Sequence, residues 1–413
     1  MNAASPTRAR VILGLSMLLP GIIYAMLVMS FAFWVAPWKS EFHLSQGTIM
    51  IAYTTGALVM TSCVAVTGRL LDWISVRTAV GCGALLMAVG LGLVSMATAF
   101  WQVLLLYATI LPAATALGGM LPAQTILVRL FPRNIGLVSG CVTMSLALGG
   151  VIFSVVIPAL LTVVDWRGVF LIEAGFTALV LAPLGWLVLN VPEGAAARTL
   201  KSDDQSASDA ADAQTSKFGA LGSPSFWLIL VATLCPMLPL SAMPPQFVSV
   251  AIESGQDVVK GGYLILAFSV TAALGNLLFG WLIDRLDHRI AYLGISAATI
   301  VSMLLFATKP GMPGLLTAAI ALGLAGGGVM PWSASMVTRT FGAVAFARTF
   351  GLLNLFFLPA TLFAVVVGWL YDQTGAYTLA FIGFAALCLP GLIGLGFLKP
   401  GPRPTMPTRV AHI

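Results

Sequence analysis

The chain has 413 residues, of which 59% are hydrophobic and only 8% charged, with a mean hydropathy of +1.01 and a formal net charge of +6. A soluble domain is about half apolar and about a quarter charged, so this sequence lacks the polar residues to cover a water-facing surface. Composition excludes a soluble globular domain, and the excess of positive charge has to be explained by something other than nucleic acid.

Runs of about 20 apolar residues cross the hydrocarbon core as helices. In chain order the sequence predicts twelve: 11–36, 47–68, 77–97, 101–129, 135–162, 168–190, 225–252, 260–283, 290–308, 313–338, 349–371 and 376–398. Outer-membrane strands would read as shorter alternating segments, and none of these does. The expected class is an all-α polytopic membrane protein. Arg8 and Arg10 precede the first span, but its apolar run is too long for a signal peptide and no A-x-A site follows, so it is expected to remain as a helix. Trp34 and Trp38 near the end of that span, and Trp101 at the start of the fourth, read as interfacial anchors. Glu173, about six residues into the sixth span and toward the outside, is the deepest acid; no other Asp, Glu, Lys, Arg or His approaches a span midplane.

With the N-terminus inside, sixteen Lys and Arg fall on inner segments and four, Lys39, Arg167, Lys260 and Lys309, on outer loops. Positive charge collects on the cytoplasmic side, so both termini are expected there, in an inner or plasma membrane. The +6 charge then reflects topology.

Residues 193–224 are rich in Ala, Ser and Asp and poor in large apolar residues. Such a segment cannot bury enough surface to fold alone and reads as a flexible cytoplasmic linker. It divides the chain into an N-terminal six-helix bundle (1–192) and a C-terminal one (225–399), with a tail at 400–413. The halves echo each other in register: GRLLDWISVR (68–77) and GWLIDRLDHR (280–289), GGMLP (118–122) and GGVMP (327–331), RLF (129–131) and RTF (339–341), DWRGVF (165–170) and DQTGAY (372–377), at offsets of 212, 209, 210 and 207. Four echoes in order argue for duplication of a six-helix unit, a recurring plan among secondary transporters.

On these residues the chain resembles the major facilitator superfamily along nearly its whole length. The 68–77 decapeptide resembles that superfamily's G-x-x-x-D-R-x-G-R-R signature between helices 2 and 3, with Trp73 in place of Arg and Ser75 in place of Gly; its second copy keeps Asp284-Arg285 but has Asp287 for Gly. The resemblance implies two pseudo-symmetric bundles with a cytoplasmic gate. Gly68 and Gly280 would let helices approach closely. Asp72 would accept hydrogen bonds from the start of helix 11, with Arg348 as its ion-pair partner there. Arg77, Asp284, Arg285 and Arg289 complete the gating set. The bland alternative is that all of these are solvated, topology-setting charges.

FPRNIGLVSG (131–140) and the passage 350–381, with Gly368, Asp372, Thr374, Gly375 and Tyr377 spaced as G-x-x-x-D-x-T-G-x-Y, resemble the monocarboxylate porter branch, which includes the oxalate/formate exchangers. That branch implies a small carboxylate, exchanged for another anion or carried with a proton. Three positions depart from it: Asn276 stands where a helix-8 Arg often binds the carboxylate, Gln246 where a helix-7 His is common, and Asn354 where oxalate exchangers tend to have Lys. The candidate substrate-binding set is therefore neutral: Tyr24, Thr115, Gln124, Ser145, Gln246, Asn276, Trp332 and Asn354. Amides donate to a carboxylate without offsetting its charge as Arg does, which keeps a neutral, zwitterionic or aromatic substrate, drug efflux included, as the alternative. Each Asn or Gln could equally link helices. Trp332 follows Pro331 in GLAGGGVMPW, a stretch that reads as a locally broken helix lining a cavity.

The five cysteines fall in five different spans with no CxxC or His pairing, so neither metal nor cofactor is expected. No G-x-x-x-x-G-K-[ST] loop and no H-E-x-x-H occurs, which argues against an enzyme and against ATP as the energy source. A non-transporting membrane sensor is a third reading, but the linker carries no signalling domain. The fold needs no partner to enclose a path, and a monomer is expected.

Overall fold

The computed structural model describes residue 14 and residues 18–71, 73–123, 135–188, 221–285, 287–308, 311–341 and 346–397. Among these residues there is no strand. The spanning helices are α1 (Leu18–Phe42), α2 (Gln46–Leu70), α3 (Val76–Ser95), α4 (Phe100–Ala123), α5 (Ile135–Leu161), α6 (Trp166–Trp186), α7 (Pro224–Glu253), α8 (Val258–Arg285), α9 (His288–Ala307), α10 (Met312–Phe341), α11 (Thr349–Thr374) and α12 (Thr378–Phe397). Eleven have described stretches long and apolar enough to cross a membrane, and α12 has a shorter apolar stretch, Thr378–Gly394. The expected linker at 193–224 and tail at 400–413 lie almost wholly outside the described residues.

Short polar turns set the helix starts. Ser45, Ser75 and Asp165 accept from the backbone N–H of Thr48, Thr78 and Gly168, and Asp287 from that of Arg289; each supplies an acceptor to a first turn that has none. Ser75 and Asp287 are the two residues that replace Gly in the paired decapeptides. Their equivalent positions are used as N-caps of α3 and α9, which explains both departures from the signature.

The first span ends later than expected, at Phe42 rather than 36, with Pro37 inside it. Lys39 and Glu41 are tolerated in the last turn because each has a partner: the Lys39 ammonium lies 5.0 Å from the Tyr371 ring centre, and Glu41 binds Arg167 at 2.6 Å. The extension carries Trp34 and Trp38 inward. Both are completely buried rather than interfacial, packed against Phe170 at 4.5 and 6.4 Å. Trp101 is exposed, as expected of an anchor.

The break expected in α10 is absent: its helix runs unbroken from Met312 to Phe341 with Pro331 inside. Its glycines serve contact instead, since a Cβ on Gly327 would strike the backbone of Ala272 and Asn276 in α8. The interruptions fall in α4, at Thr109 (φ −135°, ψ −79°) and at Gly119 (φ −93°, ψ −142°). Pro112 accounts for the first, because it cannot donate to the Ala108 carbonyl and its ring crowds that group. Similarly, Pro244, Pro245 and Pro359 accompany tight 3₁₀ turns at Pro244–Gln246 in α7 and Leu358–Leu362 in α11. The wider π-helical turns of α1 (Ala25–Met29) and α6 (Thr177–Leu181) are joined where the Thr177 hydroxyl donates to Met26 Sδ at 3.4 Å.

Candidate functional site

Two main lines of contact, with a smaller one between α1 and α7, join helices 1–6 to helices 7–12 among the described residues. Along α5 and α8 the join is made of small residues: a Cβ on Gly262 would meet the Ser154 carbonyl, and one on Gly150 would meet the Ser269 side chain. Backbones this close pack by van der Waals contact alone.

The other line, between α2 and α11, is polar. At the end of the molecule that the Lys and Arg count assigns to the outside, Asp372 accepts from the backbone N–H of Gln46 (2.8 Å) and of Gly47 (2.7 Å). These are the first two residues of α2, where unpaired N–H groups and the helix dipole favour an anion. One turn before Asp372, Gly368 lies against Gly47 so closely that a Cβ would come within 2.9 Å of the Gly47 Cα. Beside them the buried Gln46 amide donates to Gln246 Oε1 at 2.8 Å and to Ser249 Oγ at 3.2 Å. The Tyr377 hydroxyl donates to the same Gln246 oxygen at 3.1 Å, and Gln246 Nε2 donates to the Ala364 carbonyl at 3.3 Å. Further along, Thr54 donates to the Thr361 carbonyl at 3.1 Å.

The G-x-x-x-D-x-T-G-x-Y run thereby acquires a physical reading. Gly368 allows the approach, and Asp372 caps the opposing helix. Thr374 Oγ1 closes the turn against the carbonyls of Leu370 and Ala376, Gly375 takes the left-handed conformation (φ +68°) that ends α11, and Tyr377 returns to stack on Tyr371 at 4.4 Å and reach Gln246. The sequence displayed every one of these residues. It did not show that the partner of Asp372 is the start of α2.

The expected substrate residues fall into different environments. Gln246 is fully buried in the polar join, its amide engaged on both sides. Trp332 is 1% exposed and donates to the His288 carbonyl at 3.0 Å while packing on Tyr292, so it ties α10 to α9. Thr115 is buried and bonded to the Leu111 carbonyl of its own helix, and Ser145 is buried where α5 meets Gly21 of α1. Asn354 is exposed and donates back to the Phe350 carbonyl. Tyr24 and Asn276 are half-buried, and the Asn276 amide has no hydrogen-bond partner among the described residues. Gln124 lies outside the described residues. The eight are not brought together in one described pocket. A groove of about 490 Å³ does lie on the α2–α11 line, but its lining is apolar and its walls, such as Ile51, Val366 and Trp369, are exposed.

The expected gating set is placed less simply. Asp72 and the side chains of Asp284 and Arg348 lie outside the described residues. Among the described residues, a Cβ on Gly68 would meet only the end of Leu121 at 3.7 Å and one on Gly280 nothing within 4 Å, so no close approach is made there among them. Between the two halves, the close glycine approaches among the described residues are made at Gly47–Gly368 and on the α5–α8 line, because those helices cross there. Arg77 lies over the Trp186 ring of α6 at 5.8 Å and Arg285 over Trp281 of its own helix at 4.6 Å, while the Arg289 N–H engages the Asp287 cap.

One family model, that of the Major Facilitator Superfamily, matches residues 17–256 and again 237–412. The chain belongs to the Major Facilitator Superfamily. Within it, the chain is 26% identical to monocarboxylate transporter 12 of Rattus norvegicus over 359 residues, covering 79% of this chain and 72% of that protein. It is 22% identical to the agnestins efflux protein of Paecilomyces divaricatus over 297 residues, covering 72% and 65%. The fold matches a bacterial homologue of the human lysosomal transporter Spinster in an inward-facing, unoccupied conformation, with a TM-score of 0.66 at 16% identity over 96% of this chain and 95% of that one. The protein is thus a multi-pass major facilitator transporter related to the monocarboxylate transporters, with a small-molecule substrate and a lipid surround.

Proposed function

We propose that this transporter carries a small carboxylate by alternating access, the two six-helix bundles rocking about a shared central path. The observation that carries the reading is the polar α2–α11 join: Asp372 on the start of α2, with the Gln46–Gln246–Tyr377 cluster beside it. Its neutral hydrogen bonds contribute only about 0.5–1.5 kcal/mol each because water replaces them when they part, and water likewise screens the bonds of the exposed Asp372 carboxylate. A join built this way opens and recloses, so it is an outer gate, closed here. Both termini face the cytoplasm, the chain acts as a monomer, and a proton or a counter-transported anion supplies the coupling. Residues 193–224 link bundles 1–192 and 225–399.

The half-buried Asn276, with no hydrogen-bond partner among the described residues, favours a second reading, a neutral, zwitterionic or aromatic substrate, since an amide leaves a carboxylate's charge uncompensated. Uptake by the purified chain in proteoliposomes, across labelled lactate, pyruvate and uncharged analogues with and without a pH gradient, separates the two. Carboxylate uptake is expected, falling about tenfold or more in Asn276→Ala and far less in Asn354→Ala. Uptake of only the uncharged compounds rejects the first reading, and indifference to both substitutions rejects this site.

A further inference from the structure

The rings of α1, α4 and α6 enclose one acid that the transport reading leaves unused. Glu173 in α6 is 5% exposed, and neither of its carboxyl oxygens has a hydrogen-bond partner among the described residues. The same holds for two neighbours, the Trp38 indole N–H of α1 and the Tyr107 hydroxyl of α4, which are 0% and 1% exposed. Trp38 and Tyr107 are in ring contact at 5.8 Å, and Trp38 stacks at 6.4 Å on Phe170, which lies one turn before Glu173 on α6. Buried polar groups are ordinarily paired. Three unpaired ones on helices joined by one aromatic cluster call for a ligand.

The enclosure limits what that ligand is. Phe31, Trp38, Tyr107, Trp166 and Phe170 touch at centroid separations of 5.5–6.4 Å, a close packing that favours a very small occupant over a bulky solute. No cation stands opposite among the described residues. Arg167, at the first turn of α6, is spent on Glu41 and the Ala97 carbonyl. Lys39 is turned to Tyr371, α3 contributes only Arg77 and Cys82 at its other end, and α4 contributes Tyr107. An uncompensated carboxylate in such a place costs several kcal/mol, so in this conformation the carboxyl holds a hydrogen.

We propose that Glu173 is a proton-binding site of this transporter, loaded while the outer ends of the two bundles are joined and emptied when they part; as a coupling device it rests on the alternating-access reading. Two contacts link the site to the join. The Tyr107 carbonyl faces Gly56 of α2, the helix capped by Asp372, and Trp38 precedes Lys39, which reaches Tyr371 across the gap. On release the carboxyl O–H bond breaks, its electron pair stays on oxygen, and the proton passes to an entering water. The Trp38 N–H and Tyr107 O–H are then the donors that receive the carboxylate. The paired π-helical turns, which begin with Thr177 one turn beyond Glu173, give α1 and α6 irregular backbone beside the site.

Infrared spectroscopy of the purified full chain in lipid nanodiscs tests the site without any substrate. At neutral pH ordinary carboxyls are ionised, so the expected result is one carbonyl band of a protonated carboxyl, vanishing as pH rises and missing from Glu173→Gln. Absence of the band, or its survival in Glu173→Gln, overturns the proposal. Should Glu173→Gln not fold, Tyr107→Phe reads the same site: removal of a donor to the ionised form moves the band's disappearance to higher pH, and an unmoved titration overturns the assignment. With labelled lactate in proteoliposomes, Glu173→Gln is expected to keep lactate exchange and lose accumulation driven by a pH gradient; an undiminished gradient response overturns the coupling. If the wild type carries no lactate, the carboxylate reading fails while the infrared result still decides Glu173.

Discussion

Two turns that echo each other in sequence, DWRGVF at 165–170 and DQTGAY at 372–377, do different work. Asp165 accepts from Gly168 three residues on and starts its own helix, α6; the neighbouring Arg167 pairs with Glu41 in the same bundle. Asp372, at the matching position, ignores the helix that follows and caps α2 in the other bundle, more than 300 residues away. The lesson concerns duplicated folds. A carboxylate placed at a helix end by the repeat is an acceptor in both halves, and the nearest unsatisfied helix start decides whether it serves local stability or inter-bundle closure.

Substitutions that separate these roles should follow a definite order. The largest effect is expected where the backbones touch. In Gly368→Val the new Cβ meets the Gly47 and Gln46 backbone at 2.9–3.1 Å, and neither side has a flexible atom to yield. Overpacking of this kind costs about 1–3 kcal/mol, here charged wholly to the closed outer end. Spin labels at Ser40 and Gln373, both exposed, should report a distance distribution moved to longer values. An unchanged distribution would mean that the contact does not hold the ends together.

Next is Asp372→Ala. Because this carboxylate is exposed, loss of its two backbone bonds is set at about 1–2 kcal/mol, a roughly 5- to 30-fold shift toward the open outer end. The comparison sharpens against Asp165→Ala, which removes an N-cap and costs about 1 kcal/mol of stability while leaving the Ser40–Gln373 distances alone. If the two alanine variants behave alike in both melting and distance measurements, the distinction between the turns is lost.

These contrasts also show what was legible beforehand. Twelve spans followed from hydropathy because the bilayer imposes length and polarity on each helix separately. The motif around Asp372 was visible, but its partners Gln46 and Gly47 were not, since nothing local in either segment records which helix start faces which carboxylate. The sequence around Asp72 points to an anion on the start of α11, but Asp72 lies outside the described residues; the described structure displays such a contact at Asp372 and the start of α2. Trp34 and Trp38 were read as interfacial from their place near an apolar run's end. Pairing of Lys39 and Glu41 lets α1 continue past that end, and the indoles go inside. In α10 a Gly-Pro stretch suggested a break, whereas helix contact with α8 consumes the glycines. For Trp34, Trp38 and α10, burial or pairing with a distant segment overruled a local signal.

The smallest effect expected is at Lys39, whose ammonium lies 5.0 Å from the Tyr371 ring centre and is the cationic link between the bundles at this end. At an exposed position a cation–π contact contributes about 0.5–1 kcal/mol, so Lys39→Met should shift the outer-end equilibrium by only about two- to fivefold. Its value is diagnostic. An attraction between a point charge and a ring quadrupole is largely kept in Lys39→Arg and lost in Lys39→Met, whereas a purely topological charge would make both substitutions silent in the Ser40–Gln373 distances. If Lys39→Met opened the outer end as far as Asp372→Ala does, the join would be governed by charge at the rim, and the capped start of α2 would no longer account for its closure.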